Sequence, residues 1–265
     1  VAGSVLTNDN TLNITADDID LTGTLNAGAG DIEILVSDDD KIGLGNASGD
    51  MKISGSELQN ITAETLFLGY KTPHANSNGN IRVDGITETQ SDNIGTLALS
   101  TGGSVTFVGA GSTFNALTVD ADEFVTVLTD LTTTGDMILR ADVDSSGAGF
   151  DRIIIQGDST LTSGGNLFLS ASNGTSAGGG IDVLGGVSLV AAGTITLNND
   201  FDVVNGDAIL NADDGINVNG SFTVDGNIAM NGDANGLVDG NDTIALASGI
   251  TVGSATGSIS FDSAV

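Results

Sequence analysis

An oxygen-rich stretch, NGDANGLVDGND (231–242), has the residue spacing of a calcium-binding loop. In such loops, oxygen ligands at positions 1, 3, 5, 9 and 12 wrap a hard cation, and a glycine at position 6 permits the sharp turn. Gly236 stands at that sixth position. The predicted metal ligands are Asn231, Asp233, Asn235, Asp239 and Asp242.

Two departures from this pattern keep an ordinary polar turn open as the alternative. The first ligand position is Asn231 rather than Asp, and the last is Asp242 rather than Glu. The residues that follow, TIALASGITV (243–252), alternate like a strand, whereas helices flank the standard loop. A second stretch, SGAGFDRII (146–154), partly matches a calcium-binding nonapeptide repeat, but that repeat binds between successive copies and only one is present. We therefore expect no required cofactor, with calcium as the one candidate.

The segment GYKTPHANSNGN (69–80) holds the only Tyr, the only Pro and the only His of the chain. It is either a recognition loop or a plain insertion at a corner of the fold. His74 has no nucleophile and no second metal ligand close to it in sequence, so it carries neither a catalytic nor a zinc signature.

A carbohydrate-active enzyme, a polysaccharide lyase or hydrolase, is the main alternative function. Such an enzyme needs paired carboxylates, and aromatic side chains on which sugars stack. The chain has no Trp and one Tyr, and its many Asp residues will form carboxylate pairs by chance. We predict no catalytic residues and no enzyme activity.

A sequence repeat predicts the secondary structure on which these residues lie. The pattern Gly, any residue, apolar, any residue, apolar recurs along the chain, and Gly165, Gly185, Gly206 and Gly226 are 20, 21 and 20 residues apart. Internal repeats of this length predict a solenoid, in which each turn of chain buries its apolar face against the next. The four glycines are accordingly expected to stack above one another.

The alternation within each repeat selects the type of solenoid. Apolar residues two apart indicate short strands with one face inward, and the Gly, Asn, Asp and Ser residues between them favour turns. About 20 to 21 residues per coil accommodate three strands and three corners, which predicts an all-β, right-handed parallel β-helix of roughly 12 to 13 coils and about 60 Å. SELQNITAETL (56–66) is compatible with a helical turn or a strand. The residues expected inside are Leu167, Leu169, Leu189, Leu210, Ile228 and Met230.

Composition limits the partners. The chain has no Cys, and its 35 Asp and Glu residues against six Lys and Arg give a formal net charge of −29. Nucleic acids and anionic membrane surfaces need cationic patches, so neither is expected as a partner, and no apolar run is long enough to span a membrane. The acidic side chains are expected to be solvated turn residues that keep the surface soluble.

Four segments of the first half occur in an order that resembles a known family. They are ITADDIDLTGTLNAG (14–28), KIGLGNASG (41–49), SELQNITAETLFLG (56–69) and GNIRVDG (79–85). Together they are similar to repeats of filamentous haemagglutinin-like bacterial surface proteins, mainly over residues 1–125. This resemblance implies a right-handed β-helical shaft and an extracellular place on the bacterial cell surface. The Asn-Pro motifs of that family's secretion domain are missing, since Thr72 precedes the single Pro73.

These observations predict one continuous solenoid over 1–265, a segment of a longer chain or a fibre subunit. Intervals of about 30 residues between some repeats predict loops inserted at corners, with candidates at 69–80, 141–152 and 231–242. The predicted function is a structural or adhesive module of a bacterial surface filament that contacts cell-surface glycans or proteins. End-to-end self-association, or continuation of the chain, is the expected assembly. A calcium-dependent, self-assembling sheath subunit is the second alternative.

Overall fold

The chain folds as a parallel β-helix, in which three sheets enclose one apolar core. The computed structural model describes residues 1–37, 41–69, 79–144, 151–171, 180–237 and 242–263. Alternating burial shows why the sequence forms these strands: Met137, Leu139 and Ala141 point inward, while Ile138 and Arg140 between them are partly exposed. The predicted fold class is confirmed.

Sheet 1 contains twelve strands among the described residues, numbered here in chain order. They are β1 (Ser4–Leu6), β2 (Leu12–Ala16), β3 (Thr24–Asn26), β4 (Ile32–Val36), β7 (Ile61–Gly69), β9 (Ile94–Thr101), β12 (Ala116–Ala121), β15 (Met137–Ala141), β18 (Leu167–Ala171), β21 (Ile195–Leu197), β24 (Ile216–Val218) and β27 (Ile244–Leu246).

Sheets 2 and 3 complete the cross-section, with ten and seven strands in the described part of the chain. Sheet 2 comprises β5 (Ile42–Gly45), β6 (Met51–Ile53), β8 (Ile81–Asp84), β10 (Val105–Phe107), β13 (Val125–Val127), β16 (Ile153–Gln156), β19 (Ile181–Leu184), β22 (Phe201–Val204), β25 (Phe222–Val224) and β28 (Val252–Ser254). Sheet 3 comprises β11 (Ser112–Phe114), β14 (Leu131–Thr133), β17 (Thr160–Ser163), β20 (Val187–Ala191), β23 (Ala208–Ala212), β26 (Ile228–Asn231) and β29 (Ile259–Asp262).

Two short helices precede sheet 3 in the first half of the chain. They are α1 (Gly55–Leu58) and α2 (Glu88–Ser91), and α2 contacts both α1 and β11. A capping box begins α1, because the Ser54 side chain accepts from the Glu57 N–H and the Glu57 carboxylate accepts from the Ser54 N–H. The segment 56–66 therefore contains both structures that its sequence allowed, since β7 follows α1.

The core is a column of aliphatic side chains with a few aromatic rings. The six residues expected inside are all at most 2% exposed, which confirms that prediction. Phe201 and Phe222 are register partners whose rings stack with their centroids 4.8 Å apart.

The predicted number of coils is wrong. In sheet 1 the inward column runs through ten described strands, from Ile14 in β2 to Leu246 in β27. The basic coil is 20 or 21 residues, as expected, but inserted segments lengthen several coils to about 30 and so reduce their number. At the usual strand spacing, ten levels span about 43 Å rather than about 60 Å.

The predicted column of four glycines is also partly wrong. Gly185, Gly206 and Gly226 do stack, because they precede strands of sheet 3 in matching register. Gly165 precedes a strand of sheet 1 and lies against Gly135 instead. Asn166 and Thr194 precede adjacent strands of sheet 1 and are 28 residues apart, so a step of 20 from Gly165 ends before β20 of sheet 3 in the same coil. The even spacing from Gly165 to Gly185 in sequence is therefore accidental, because it includes the segment inserted between β18 and β19.

The helices in the described part of the chain are single turns of four residues, and neither could span a membrane.

Candidate functional site

The described part of the predicted calcium loop folds as two side-chain turns. The Asn231 amide oxygen accepts the Asp233 N–H at 3.1 Å, and the Asn235 amide oxygen accepts the Leu237 N–H at 2.8 Å. Both amide oxygens thus stabilise the turn itself. Asp242 is 6% exposed, and Asp239 lies outside the described residues. Calcium binding here stays a prediction.

The other two sequence candidates are placed only in part. His74 and the rest of 70–78 lie outside the described residues, as does most of 146–154. Arg152 is described, and its guanidinium pairs with the Asp182 carboxylate on the next coil. Within the described residues, no group of three or more His, Cys, Asp or Glu side chains is arranged to hold a metal ion.

The inserted segments share a position in the fold. Segments 69–80 and 141–152 each connect a strand of sheet 1 to the next strand of sheet 2. The segment between β18 and β19 does the same. In contrast, 231–242 connects sheet 3 to sheet 1. Three of the insertions therefore begin and end along one edge of the stack, between sheets 1 and 2, where a rigid scaffold would present binding loops.

Acidic side chains gather on that edge. Asp151, which begins the return to sheet 2, is 8% exposed. Burial raises its pKa, and the negative charges of Asp142, Asp144 and Glu123 raise it further. Asp142 itself is 4% exposed and has a left-handed backbone, with φ of 51°. Sequence reasoning missed this cluster, because its members belong to two coils and become neighbours only through stacking.

Other carboxylate and amide side chains form a ladder along the corners. The Asp136 carboxylate accepts the Asn166 N–H at 2.7 Å, and the Asn166 side-chain oxygen accepts the Thr194 N–H at 3.0 Å. Each therefore satisfies a backbone donor of the following coil at a corner, where the strand ladder is interrupted. Elsewhere the same contact is made by Asp9, Asp84, Asp130, Asp158, Asp200, Asp207 and Asn227.

The electrostatics of the ladder follow from these hydrogen bonds. The N–H and the side-chain amide of Asn227 both donate to the Asp207 carboxylate, and they lower its pKa. The acidic residues thus do more than keep the surface solvated, as composition alone had suggested. A signal was present in the repeat: the residue after glycine is Asp or Asn in GDMIL, GNLFL, GDAIL and GNIAM.

Glu57 ties α1 to the preceding coil. Its carboxylate accepts the Leu21 N–H at 2.9 Å and the Ser54 N–H at 2.8 Å. Burial and the negative charge of Asp18 raise the pKa of Glu57, but the hydrogen bonds from Leu21 and Ser54 outweigh them and leave it lowered.

Comparisons with known proteins add no relative. No protein-family model matches the chain, and no curated protein or solved structure matches it significantly. The resemblance to filamentous haemagglutinin-like proteins therefore stays a prediction from the sequence.

Proposed function

We propose that this chain is a structural and adhesive segment of an extracellular bacterial surface fibre, with no catalytic step. The observation that most supports this proposal is the ladder of Asp and Asn side chains along the corners. In it, each coil provides a side-chain acceptor to a backbone N–H of the following coil, as Asp136 and Asn166 do. A stack of this kind contacts only its neighbours and can lengthen by whole coils without changing its cross-section. That is the geometry a shaft needs.

End-to-end stacking is the proposed assembly. At one end of the stack Phe261 is 50% exposed, whereas its register partner Met230 is 2% exposed. At the other end Ile14 is only partly buried, whereas its partner Ile34 is fully buried. A further coil, from the same chain or from a second copy, would cover this apolar surface and pair the open strand edges.

Cations should control that stacking. A formal net charge of −29 opposes the approach of two copies at low ionic strength. Salt reduces this repulsion by screening, whereas calcium can also bridge carboxylates between coils. A calcium response beyond that of magnesium at equal ionic strength would favour the calcium-dependent sheath subunit over a simple shaft segment.

The test is light scattering with negative-stain electron microscopy across a calcium titration, with magnesium as the ionic control. We expect rods that lengthen as divalent cation is added. Asp233→Asn with Asp242→Asn removes charge from the predicted calcium loop, and Asp213→Asn with Asp214→Asn is the matched control. A protein that stays monomeric at every calcium and salt concentration would contradict the assembly.

Location has its own test. Antibodies to the chain should label intact cells of the organism that makes it, and brief protease treatment of those cells should remove the label. Labelling that appears only after the cells are permeabilised would contradict the surface-fibre function, whatever the result of the assembly test.

A further inference from the structure

A groove crosses the side of the stack where sheet 2 turns toward sheet 3. We call it the corner groove, and it is lined by residues 202–204, 223–225 and 253–255, with a volume of about 530 Å³. A second cavity of about 540 Å³ shares Asp225 and continues the groove around the corner along 205–207 to Thr256. The depression arises because side-chain bulk falls along one outward column, from Asp202 through Thr223 to Gly253.

The rim of the corner groove is apolar. Leu184 and Val204 are register partners on adjacent strands and are 48% and 43% exposed. Ile209, just beyond the corner, is also 43% exposed. These three side chains point away from the core, so they form neighbouring apolar surface that is exposed to water. Exposed apolar patches of this kind are typical of contact sites.

The floor and ends of the groove are acidic. Asp202, Asp207 and Asp225 lie along it, and none of the three forms an ion pair with any described residue. No Lys, Arg or His follows Arg152 in the sequence. The carboxylates are held in place, because Asp225 accepts the Asn205 N–H at 3.0 Å and Asp202 accepts the Thr223 hydroxyl. A carboxylate has about four acceptor positions, so these bonds leave capacity for a cation.

One contact within the chain shows what this face accepts. The Arg152 guanidinium pairs with Asp182, and Asp182 is the register partner of Asp202. A guanidinium therefore already lies against the outward column one strand before the groove. At Asp202 the column continues without a cation from the described chain.

We propose that the corner groove binds an extended, cationic segment of a different protein. Its Lys or Arg side chains would pair with Asp202, Asp207 and Asp225, and the apolar residues between them would cover the rim of Leu184 and Val204. A second copy of this chain is a poor occupant, because it has only six Lys and Arg residues, and two of them, Arg140 and Arg152, already pair with Asp120 and Asp182. The inference rests on the adhesive part of the proposed function and names its partner class.

The test uses a short fluorescent peptide that alternates Lys with Leu, and fluorescence anisotropy as the readout. Asp202→Asn with Asp225→Asn keeps the local acceptors but removes two charges, and Leu184→Ser with Val204→Ser removes the apolar rim. Each pair should weaken binding about fivefold or more, since each removes two contacts. The matched controls, Glu88→Gln with Asp92→Asn and the exposed Leu6→Ser, should leave affinity within about twofold.

Competition experiments distinguish a peptide from other cationic ligands of the corner groove. A peptide in which Ser replaces Leu, free spermine and a glucosamine oligomer should each compete at least about tenfold more weakly than the Lys-Leu peptide. Equal competition by spermine would reduce the site to non-specific charge, and equal competition by the oligomer would assign it to a glycan. Either result, or equal weakening by the control variants, would overturn the proposal. This assay uses the soluble chain, so its failure leaves fibre assembly and surface location to their own tests.

Discussion

Replacing Gly206 with alanine should destabilise the β-helix at one defined place. The added methyl carbon would lie 2.2 Å from both the carbonyl carbon and the oxygen of Gly185 on the preceding coil. Ordinary contact begins near 3.4 Å, so the two coils would have to separate locally by about 1.2 Å. The obstacle is backbone rather than a side chain, and a rotamer change cannot relieve it.

The magnitude follows from the hydrogen bonds at this corner. The Val187 N–H donates to the Asp207 carbonyl at 2.9 Å, and the Gly226 N–H donates to the Gly206 carbonyl at 2.9 Å. A local separation of that size breaks one or two such bonds, each contributing about 1 kcal/mol, and overpacking adds about 1–3 kcal/mol. We expect Gly206→Ala to lower the free energy of unfolding by about 2–5 kcal/mol.

The matched control is Gly253→Ala. Its methyl group would have no atom within 4 Å, and neither Gly206 nor Gly253 has a positive φ, so both substitutions reduce the entropy of the unfolded chain equally. Urea unfolding followed by circular dichroism measures the difference. Hydrogen exchange locates it, because a solenoid can open locally around one coil. Equal stabilities, within about 0.5 kcal/mol, would refute the close stacking of the glycine column.

Five further substitutions test the core, the ladder and the two carboxylates with shifted pKa. Phe201→Ala should lower the free energy of unfolding by about 3–5 kcal/mol, because the ring is fully buried against Phe222; a loss under about 1 kcal/mol would contradict that packing. Asp136→Ala should cost about 1 kcal/mol in urea unfolding while Asp136→Asn, which keeps the acceptor, costs less; equal costs would contradict the ladder. Asp151 and Glu57 should respond to pH in opposite directions. The raised pKa of Asp151 means that its stabilising effect is complete below the ordinary value of 3.8 and is lost as pH rises, so Asp151→Asn should be more stable than the parent at pH 7 and lose that advantage in acid. The lowered pKa of Glu57 means that its contribution is present above the ordinary value of 4.5 and is lost in acid, so Glu57→Ala should cost about 2 kcal/mol at pH 7 and less at pH 3. Urea midpoints measured from pH 3 to 8 check both signs, and parallel pH profiles for parent and variants would contradict them.

Local sequence rules were sufficient for the strands and the class of fold. Alternation at residues such as Leu167 and Leu169 determines which side chains are buried, and the step of 20 or 21 residues determines the size of a plain coil. Both depend on neighbouring residues and on the length of chain needed for three strands. The turn chemistry of Gly, Asn and Asp is local in the same sense, which is why the alternating segments were predicted well.

Stacking depends on how much chain is inserted in each coil, and that is not a local property. Gly165 and Gly185 have the same motif, but one insertion places them on different sheets. Leu184 and Val204 are likewise far apart in sequence, and only the pairing of their strands places them side by side on the rim of the groove. The acceptors of the ladder, the carboxylates around Asp151 and the corner groove all combine residues from successive coils. Alternation and repeat length in the sequence are enough to specify the strands and the plain coil, whereas the contacts between coils depend on the tertiary structure, because inserted segments shift which residues the parallel pairing brings into register.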